Sequence, residues 1–312
     1  MSSDDCVQRL CEINSKEIQE PSKRNYWNDL IWKKIIVLLY VHIIFIYTLT
    51  SVHTFKLNTI FLASVMYILS GLGVTAGAHR LWSHRSYKAK LPLRIFLAIV
   101  NCMAWQVPIY DWCRDHRTHH KCSETDGDPH NARRGLFFSH IGCHLVKKHP
   151  DVIKNGKKLS LDDLKEDPVV MWQRRYFIPM ALILCFVIPT LIPYYMWEET
   201  LWNSYCACVA RYCVLLNAAF SVNSFAHLLG SRPYDVSINP RENKIVAFFA
   251  MGEGFHNYHH AFPQDYSTSE FGISKLNPTT LFIDMMAFVG LAYKRNKISQ
   301  QMIGARKRRT GE

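Results

Sequence analysis

The run Ile35–Val52, IIVLLYVHIIFIYTLTSV, decides the fold class of this chain. It is apolar over roughly the 20 residues that a helix needs to cross the hydrocarbon core of a bilayer. Lys33 and Lys34 precede it, and a short polar link leads from it to a second apolar run, Leu57–Ala78. A segment inside a bilayer must satisfy its own backbone hydrogen bonds, so the two runs predict a transmembrane helical hairpin.

Further apolar runs predict a second hairpin and one shorter helix. Phe177–Trp197, which is interrupted by prolines, and Tyr205–Leu229 are each long enough to span. Leu93–Met103 is too short, and aromatic residues follow it, so it predicts an interfacial helix lying on the bilayer. The predicted parts are a cytosolic tail (1–30), hairpin 1 (31–78), a hydrophilic region with the interfacial helix (79–176), hairpin 2 (177–230) and a C-terminal region (231–312).

The distribution of charge predicts the orientation. The chain carries a net charge of +12, and its basic residues lie in the N-terminal flank, the central region and the C-terminal region. The two links within the hairpins have a single lysine between them. The positive-inside rule therefore places both termini and the central region in the cytosol. The positive charge also suits anionic lipid head groups or a polyphosphate ligand, whereas no nucleic-acid-binding motif is present.

The cysteines and the N-terminus predict a reducing compartment without a cleaved leader. None of the ten cysteines forms a C-x-x-C pair, and several lie within apolar runs, where free thiols behave as small hydrophobic groups. We therefore expect no disulfide framework. The start, Met1–Glu20, is polar and acidic, unlike a signal peptide.

Histidines form three clusters on the predicted cytosolic side. They are HRLWSH (His79–His84), HRTHH (His116–His120) and HNYHH (His256–His260), with His227 alone at the end of the last apolar run. Positions i, i+3 and i+4 share one face of a helix, so each H-x-x-H-H cluster is predicted to aim its imidazoles at one point. His79 and His84 are five residues apart, which requires a helix end between them or two different targets.

These clusters predict two metal ions held mainly by histidine. Two H-x-x-H-H clusters offer more nitrogens than one tetrahedral ion accepts. The H-E-x-x-H motif of zinc peptidases is absent, and only one Glu-x-x-His of the soluble di-iron type stands out, Glu253–His256. A redox pair on a membrane fits iron best, with zinc and copper left open. Asn223, one turn before His227, would place an amide or a bridging water on the same face. The other histidines are expected to be structural or solvated: His42, His53, His130, His140, His144 and His149.

Four blocks carry a family resemblance. They are GAHRLWSH (Gly77–His84), DWCRDHRTHHKCSETDGDPHN (Asp111–Asn131), NSFAHLLG (Asn223–Gly230) and GEGFHNYHHAFPQDY (Gly252–Tyr266). From about Tyr26 to the end, the chain resembles membrane-bound fatty acyl-CoA desaturases of the stearoyl-CoA type, especially their insect branch with its pheromone-gland enzymes. The resemblance implies an all-α integral membrane fold, with four transmembrane helices capped by a helical cytosolic domain that carries a di-iron site.

The resemblance also implies the site residues. The implied iron ligands are His79, His84, His116, His119, His120, His227, His256, His259 and His260, with Asn223 reaching one iron through a water. The implied contacts to coenzyme A are Arg114, Asp115, Lys147 and Lys148. One departure is Val107-Pro108 after Gln106, where relatives tend to be polar, which puts a substrate contact from this turn in doubt.

The implied activity is O2-dependent insertion of a double bond, at Δ9 or Δ11, into a saturated or monounsaturated fatty acyl-CoA. It would serve unsaturated fatty acid and pheromone precursor biosynthesis at the endoplasmic reticulum membrane. No fused cytochrome b5 domain is visible, so two electrons are expected from separate cytochrome b5 and its NADH-dependent reductase. Three alternatives stay open: hydroxylation or acetylenic or conjugated bond formation on the same scaffold, a metal transporter with ligands at mid-membrane, and a structural membrane anchor.

Overall fold

The structure is a computed structural model that describes residues 25–272 and 277–312. Within these residues, four helical segments are long and apolar enough to cross a membrane: Trp32–Thr54, Leu57–Ser83, Pro168–Trp197 and Leu201–Leu228, here called spans 1 to 4. The prediction of an all-α membrane fold with four spans is confirmed. Span 3 begins at Pro168, before the predicted Phe177. Most of the predicted tail, residues 1–30, lies outside the described residues.

Almost all the regular structure described is helical. The α-helices are α1 (Trp32–Ser51), α2 (Leu57–Leu72), α3 (Leu91–Cys102), α4 (Ile109–Cys122), α5 (Cys143–Leu145), α6 (Pro150–Lys157), α7 (Asp162–Lys165), α8 (Pro168–Leu182), α9 (Ile188–Trp197), α10 (Leu201–Asn223), α11 (Phe225–Leu228), α12 (Lys244–Phe249), α13 (His256–Ala261), α14 (Pro278–Phe288) and α15 (Gln300–Thr310). The π-helical segments are π1 (Gly73–Ser83), π2 (Phe138–Gly142) and π3 (Ile183–Val187). Short 3-10 turns lie at Trp27–Asp29, Val52–Thr54 and Ala132–Arg134. Strands β1 (Lys88–Ala89) and β2 (Ala292–Tyr293) pair antiparallel, with Lys88 opposite Tyr293.

Span 1 presents one apolar face to its surroundings and another to the protein. Ile36 and Ile46 are more than 60% exposed, whereas Val41 and Ile44 are buried in a core shared with α10. Large apolar side chains exposed along a whole helix are unfavourable in water and suit contact with lipid. The burial pattern therefore supports a transmembrane helix that packs on span 4.

The two links within the hairpins meet at one end of the spans. The Glu199 carboxylate accepts hydrogen bonds from the Lys56 backbone N–H at 2.7 Å and from the Thr59 hydroxyl at 2.8 Å. Spans 2 and 4 both run away from this end and finish near His79 and His227. Both histidines therefore lie at the opposite end of the bundle from the links, as the predicted topology requires.

A buried arginine compensates for a proline in span 3. Pro189 has no N–H, so the carbonyl of Cys185, four residues earlier, loses its helical partner. That carbonyl instead accepts a hydrogen bond from the Arg211 guanidinium at 2.8 Å, and Arg211 also donates to the Met103 carbonyl at 2.9 Å. One side chain of α10 thus ties span 3 and the end of α3 to span 4, while π3 absorbs the change in helical spacing.

The predicted interfacial helix is present as α3. Leu93 and Leu97 are buried against the rest of the protein, while Ile95 and Phe96 on the other side are about 40% exposed. The Asn101 side chain accepts a hydrogen bond from the buried Gln173 amide at 3.1 Å, which joins α3 to α8. The position of α3 on a bilayer stays a prediction.

Candidate metal centre

The first histidine cluster lies on a π-helix rather than an α-helix. In π1 the backbone bonds join residues five apart, and the His84 N–H donates to the His79 carbonyl at 3.1 Å. This wider turn places residues i and i+5 on the same face, so both rings reach one group. The expectation rests on regular helical spacing; in the structure π-helical spacing, with π1 ending at Ser83, brings both rings into one candidate group.

The prediction that each H-x-x-H-H cluster aims at one point is wrong. On α4, His116 and His120 join one group of histidines, while His119 joins a second. Successive residues of an α-helix are about 100° apart, so the i and i+4 side chains lie nearly in line while the i+3 side chain is turned to one side. Helix α13 repeats the division, with His256 and His260 in the second group and His259 in the first. Each helix thus supplies a pair to one group and a single imidazole to the other.

The structure brings all nine predicted histidines together in two adjacent groups. The first contains His79, His84, His116, His120 and His259; the second contains His119, His227, His256 and His260. Within each group the candidate ligand atoms lie within 4.8 Å of one another. The groups touch where the His120 and His260 rings stack, with centroids 4.2 Å apart. Asn223 ends α10 and lines the same cavity as His256.

Spacing between the ring nitrogens fits metal ions. The Nε2 atoms of His84 and His116 are 2.8 Å apart, those of His79 and His259 are 3.0 Å apart, and those of His227 and His256 are 3.0 Å apart. Two nitrogens that each lie about 2.1 Å from one ion, at right angles, are about 3 Å apart. The buried Nε2 atom of His119 has no hydrogen-bond partner among the described residues. This donor set therefore fits one ion in each group.

Three carboxylates lie beside the Nδ1 atoms of three imidazoles and orient these rings. Asp128 lies 2.8 Å from Nδ1 of His119, Glu124 lies 2.8 Å from Nδ1 of His227, and Glu253 lies 2.9 Å from Nδ1 of His79. A carboxylate on Nδ1 holds the proton there, fixes the ring and leaves Nε2 for a metal. Sequence reasoning missed these three roles, although Glu253 belongs to the Glu-x-x-His motif and Asp128 lies in the block Asp111–Asn131 that carries the family resemblance.

Glu253 is itself held in place by a buried arginine. Both Nε and Nη2 of Arg80, which is fully buried, donate to a Glu253 oxygen at 3.0 and 2.8 Å. Arg80 also donates to the Thr280 hydroxyl at 2.9 Å. Burial raises the pKa of Glu253, but Arg80 and His79 outweigh it and lower the pKa overall. The carboxylate is therefore ionised beside His79, where a buried charge without a partner would be costly.

Most of the imidazoles outside the spans are held neutral. Burial, with repulsion from the neighbouring imidazolium charges, puts the pKa well below 6.5 in six rings: His84, His116, His120, His256, His259 and His260. Burial also lowers the pKa of His119, but Asp128 reverses the shift and raises it overall. Neutral imidazole is the form that binds metals, so the six rings are ready to do so at pH 7.

A cavity of about 720 Å³ opens onto the metal centre. Its wall includes His79, His116 and His256, together with apolar side chains such as Val74 and Leu215. The volume lies in the range of small-molecule and cofactor sites. The ligands of both groups therefore face a space that can hold an apolar chain.

The predicted coenzyme A contacts lie together at the same cavity. Arg114, Asp115, Lys147 and Lys148 all line it. Asp115 forms ion pairs with Arg114 at 3.0 Å and with Lys148, so it holds two cations at this place. Val107 and Pro108 line it as well, and Gln106 beside them accepts a hydrogen bond from the Trp112 indole at 2.9 Å. The apolar pair is thus part of the wall.

Comparison with known proteins decides the family. Residues 56–270 match the fatty acid desaturase family. The chain belongs to this family. It is 55% identical over 295 residues to stearoyl-CoA desaturase 5 of Bos taurus, an alignment covering 94% of this chain and 88% of the relative. It is 54% identical to stearoyl-CoA desaturase 5 of Homo sapiens (94% and 89% covered) and 55% identical to stearoyl-CoA desaturase 2 of Mus musculus (91% and 79% covered).

Placement of the ligands argues against two alternatives for this desaturase-family protein. A transporter would carry its ligands at mid-membrane, whereas His79 and His227 lie near the ends of spans 2 and 4. The other seven histidines follow the spans or lie beyond them. A structural anchor gives no reason for this convergence of nine imidazoles.

Proposed function

We propose that this protein is an acyl-CoA desaturase, an oxidoreductase that converts a CH2–CH2 pair of a fatty acyl-CoA into a CH=CH pair. The balanced reaction takes one O2, two electrons and two protons and yields two waters. The observation that carries the proposal is the opening of a nine-histidine centre onto an apolar cavity with a charged group of residues in its wall, in a member of the desaturase family.

We propose that the two groups hold two iron ions. Five imidazoles in the first group exceed the four ligands of an ordinary zinc site, which favours a metal with a higher coordination number. Asn223 would complete the second group through a water. Bound iron would supply the oxidising chemistry that no side chain provides. The protein would contribute rigid, neutral imidazoles, and Glu253, Asp128 and Glu124 would keep their Nδ1 protons in place.

The cavity wall would bind and place the substrate. Arg114, Lys147 and Lys148 carry the positive charge that phosphate groups of coenzyme A require, and Asp115 would fix two of these cations. The apolar wall would exclude water and hold the acyl chain beside the histidines. The distance from the charged residues to the centre would then set the position of the double bond, which we propose to be Δ9 or Δ11.

The desaturase proposal also implies a membrane orientation and separate electron donors. The chain would lie in the endoplasmic reticulum membrane with both termini and the histidine centre in the cytosol, as the loop charges predict. Electrons would arrive from cytochrome b5 and its NADH-dependent reductase. The products would enter unsaturated fatty acid synthesis and, following the insect resemblance, pheromone precursor synthesis.

Expression in a desaturase-deficient yeast tests the activity. We expect the chain to restore growth without added unsaturated fatty acid, and mass spectrometry to locate the new double bond in the yeast lipids. His119→Ala should abolish the product, whereas His53→Ala, in the link at the far end of the spans, should retain it. Hydroxylated, acetylenic or conjugated products in place of simple alkenes would contradict the proposed reaction.

A further inference from the structure

Beyond the nine histidines, the structure assembles a third cluster of metal-ligating side chains. His130, Cys143 and His144 each place a candidate ligand atom within 4.8 Å of the others. Nδ1 of His130 lies 3.4 Å from Sγ of Cys143, and the rings of His130 and His144 are 5.5 Å apart. The sequence analysis expects both histidines to be structural or solvated and assigns no role to Cys143.

Neighbouring elements hold these three side chains in place, and the hydrogen bonds described for Cys143 Sγ are long, at 3.4 Å to Nδ1 of His130 and 3.9 Å to the Ser139 carbonyl. The backbone N–H of His130 donates to Asp128 at 2.9 Å, which fixes the turn after Pro129. The His144 ring stacks on Phe220 at 4.4 Å, and its buried Nε2 has no hydrogen-bond partner among the described residues. A buried polar atom without a partner is costly unless a ligand satisfies it.

The chemistry of the cluster differs from that of the main centre. We propose that His130, Cys143 and His144 bind a single thiophilic transition-metal ion, Zn²⁺ or Cu⁺, separate from the proposed iron ions. One thiolate and two imidazoles suit these ions, and three protein ligands leave a fourth position open. This site goes beyond the proposed desaturase function and does not depend on it.

The protonation states agree with this assignment. Burial, with repulsion from His144, lowers the pKa of His130 to about 3, and burial lowers the pKa of His144 to about 4, so both rings are neutral. Burial raises the pKa of the Cys143 thiol to about 12, so binding must displace its proton. Nearby Lys34 favours the thiolate form of Cys143 and would partly balance its charge.

The position of the cluster predicts an effect of the bound ion on substrate binding. All three side chains line the cavity that also contains Lys147 and Lys148, the proposed coenzyme A contacts. An ion held there would occupy part of the cavity wall next to the charged residues. The ion is therefore expected to interfere with binding of acyl-CoA, and this expectation alone rests on the proposed function.

Cobalt spectroscopy on the full-length, iron-loaded protein tests the site. The nine imidazoles provide only nitrogen, so a thiolate-to-cobalt charge-transfer band cannot arise from the main centre, and the Cys143 variant assigns it to the third cluster. We expect added Co²⁺ to produce this band at one equivalent, with release of about one proton per ion, and Zn²⁺ to remove it. Cys143→Ser and His144→Gln should lose the band, whereas Cys122→Ser, a matched half-buried thiol outside the cluster, should keep it.

Absence of the band in the wild-type protein would overturn the site without any variant having to fold. A band that persists in Cys143→Ser would overturn it as well, because the sulfur would then come from another residue. A kinetic measurement tests whether the ion interferes with acyl-CoA binding. We expect Zn²⁺ to raise KM for stearoyl-CoA several-fold in the wild-type protein and much less in Cys143→Ser. Equal inhibition of both proteins would refute interference at the cavity while leaving the cobalt result intact.

Discussion

At the scale of single residues, the centre depends on which nitrogen each imidazole offers. Asp128, Glu124 and Glu253 lie on Nδ1 of one ring each and direct its Nε2 inward. Asp128 is the most deeply buried of the three. Although burial raises its pKa, the contacts with His119 and His130 outweigh burial and lower the pKa to about 2. The negative charge therefore persists at all physiological pH values and strengthens the basicity of His119.

Asp128→Asn removes this charge with little change of shape. We expect metal affinity or activity to fall about 10- to 100-fold, the usual cost of losing a carboxylate behind a metal-bound histidine. Iron retained against increasing chelator, measured by mass spectrometry of the metal, gives the affinity. Asp151→Asn, half exposed at the start of α6, is the control and should behave as wild type. Full iron retention in Asp128→Asn would show that this carboxylate does not support the centre.

The candidate metal ligands were easier to predict from the sequence than the carboxylates that orient them. All nine histidines could be named from H-x-x-H-H spacing and the family blocks, because the ligand type is rare and its spacing is local. The link between Glu253 and His79 joins positions 174 residues apart, and no local pattern reports such a contact. The cluster of His130 with Cys143 was also missed, although these residues are only 13 apart, because their spacing matches no familiar metal-binding motif.

At the scale of elements, helix geometry divides the nine histidines between two groups. Spacing alone predicts that i, i+3 and i+4 share a face, yet His119 and His259 cross to the other group. The two groups lie close enough together that a turn of about 100° per residue moves a side chain from one group to the other. The sequence reports the helix but not where the second group lies, so only the three-dimensional packing of α4 against α13 settles the division.

Mutating Pro189 of span 3 and Arg211 of span 4, singly and together, tests whether the two residues are energetically coupled. Arg211→Met should leave the buried Met103 carbonyl without its donor and the Cys185 carbonyl with only the weak Cys208 thiol donor, at a cost of about 1–3 kcal/mol for the unpaired group. We expect the thermal midpoint in detergent to fall by several degrees. Pro189→Ala should restore part of the loss in the double variant, since an alanine at this position would return the missing N–H to the Cys185 carbonyl.

The double-variant comparison distinguishes this pairing from a general packing role of Arg211. If Pro189→Ala lowers the midpoint of the Arg211→Met background as much as it does in the wild type, the two residues are not coupled. A positive coupling of about 1 kcal/mol is expected for one restored hydrogen bond.

At the scale of the whole molecule, the metal centre joins chain segments far apart in sequence. Histidines from π1, α4, α11 and α13 meet at the ends of two different spans. Ions that bind only the folded arrangement stabilise it in proportion to their affinity. The fold class and the four spans were predictable from the apolar runs, because length and hydropathy decide membrane insertion. The start of span 3 at Pro168 is instead set by the Asp167 N-cap and by Pro168 itself, polar and capping signals that hydropathy does not report.

Acidification should destabilise the metal-free protein through its neutral histidines. Six rings have a pKa well below 6.5 when folded, so below pH 6.5 the unfolded chain binds protons that the folded chain does not. Stability therefore falls as the pH drops through 6.5, by up to about 1.4 kcal/mol per pH unit for each ring. His119, with its raised pKa, and Glu242, whose pKa burial raises to about 8, oppose this trend as two groups against six. The thermal midpoint between pH 8 and pH 5 checks the direction, and a flat or rising midpoint on acidification would be inconsistent with it.

The metal content of the purified protein tests the central claim most directly. Iron per chain, measured together with X-ray absorption at the iron edge, gives both the number of ions and the atoms around them. Two adjacent imidazole groups predict two irons per chain and a first coordination shell dominated by nitrogen. A protein that is active with one iron or none, or whose iron is surrounded mainly by carboxylate oxygen, would contradict the account.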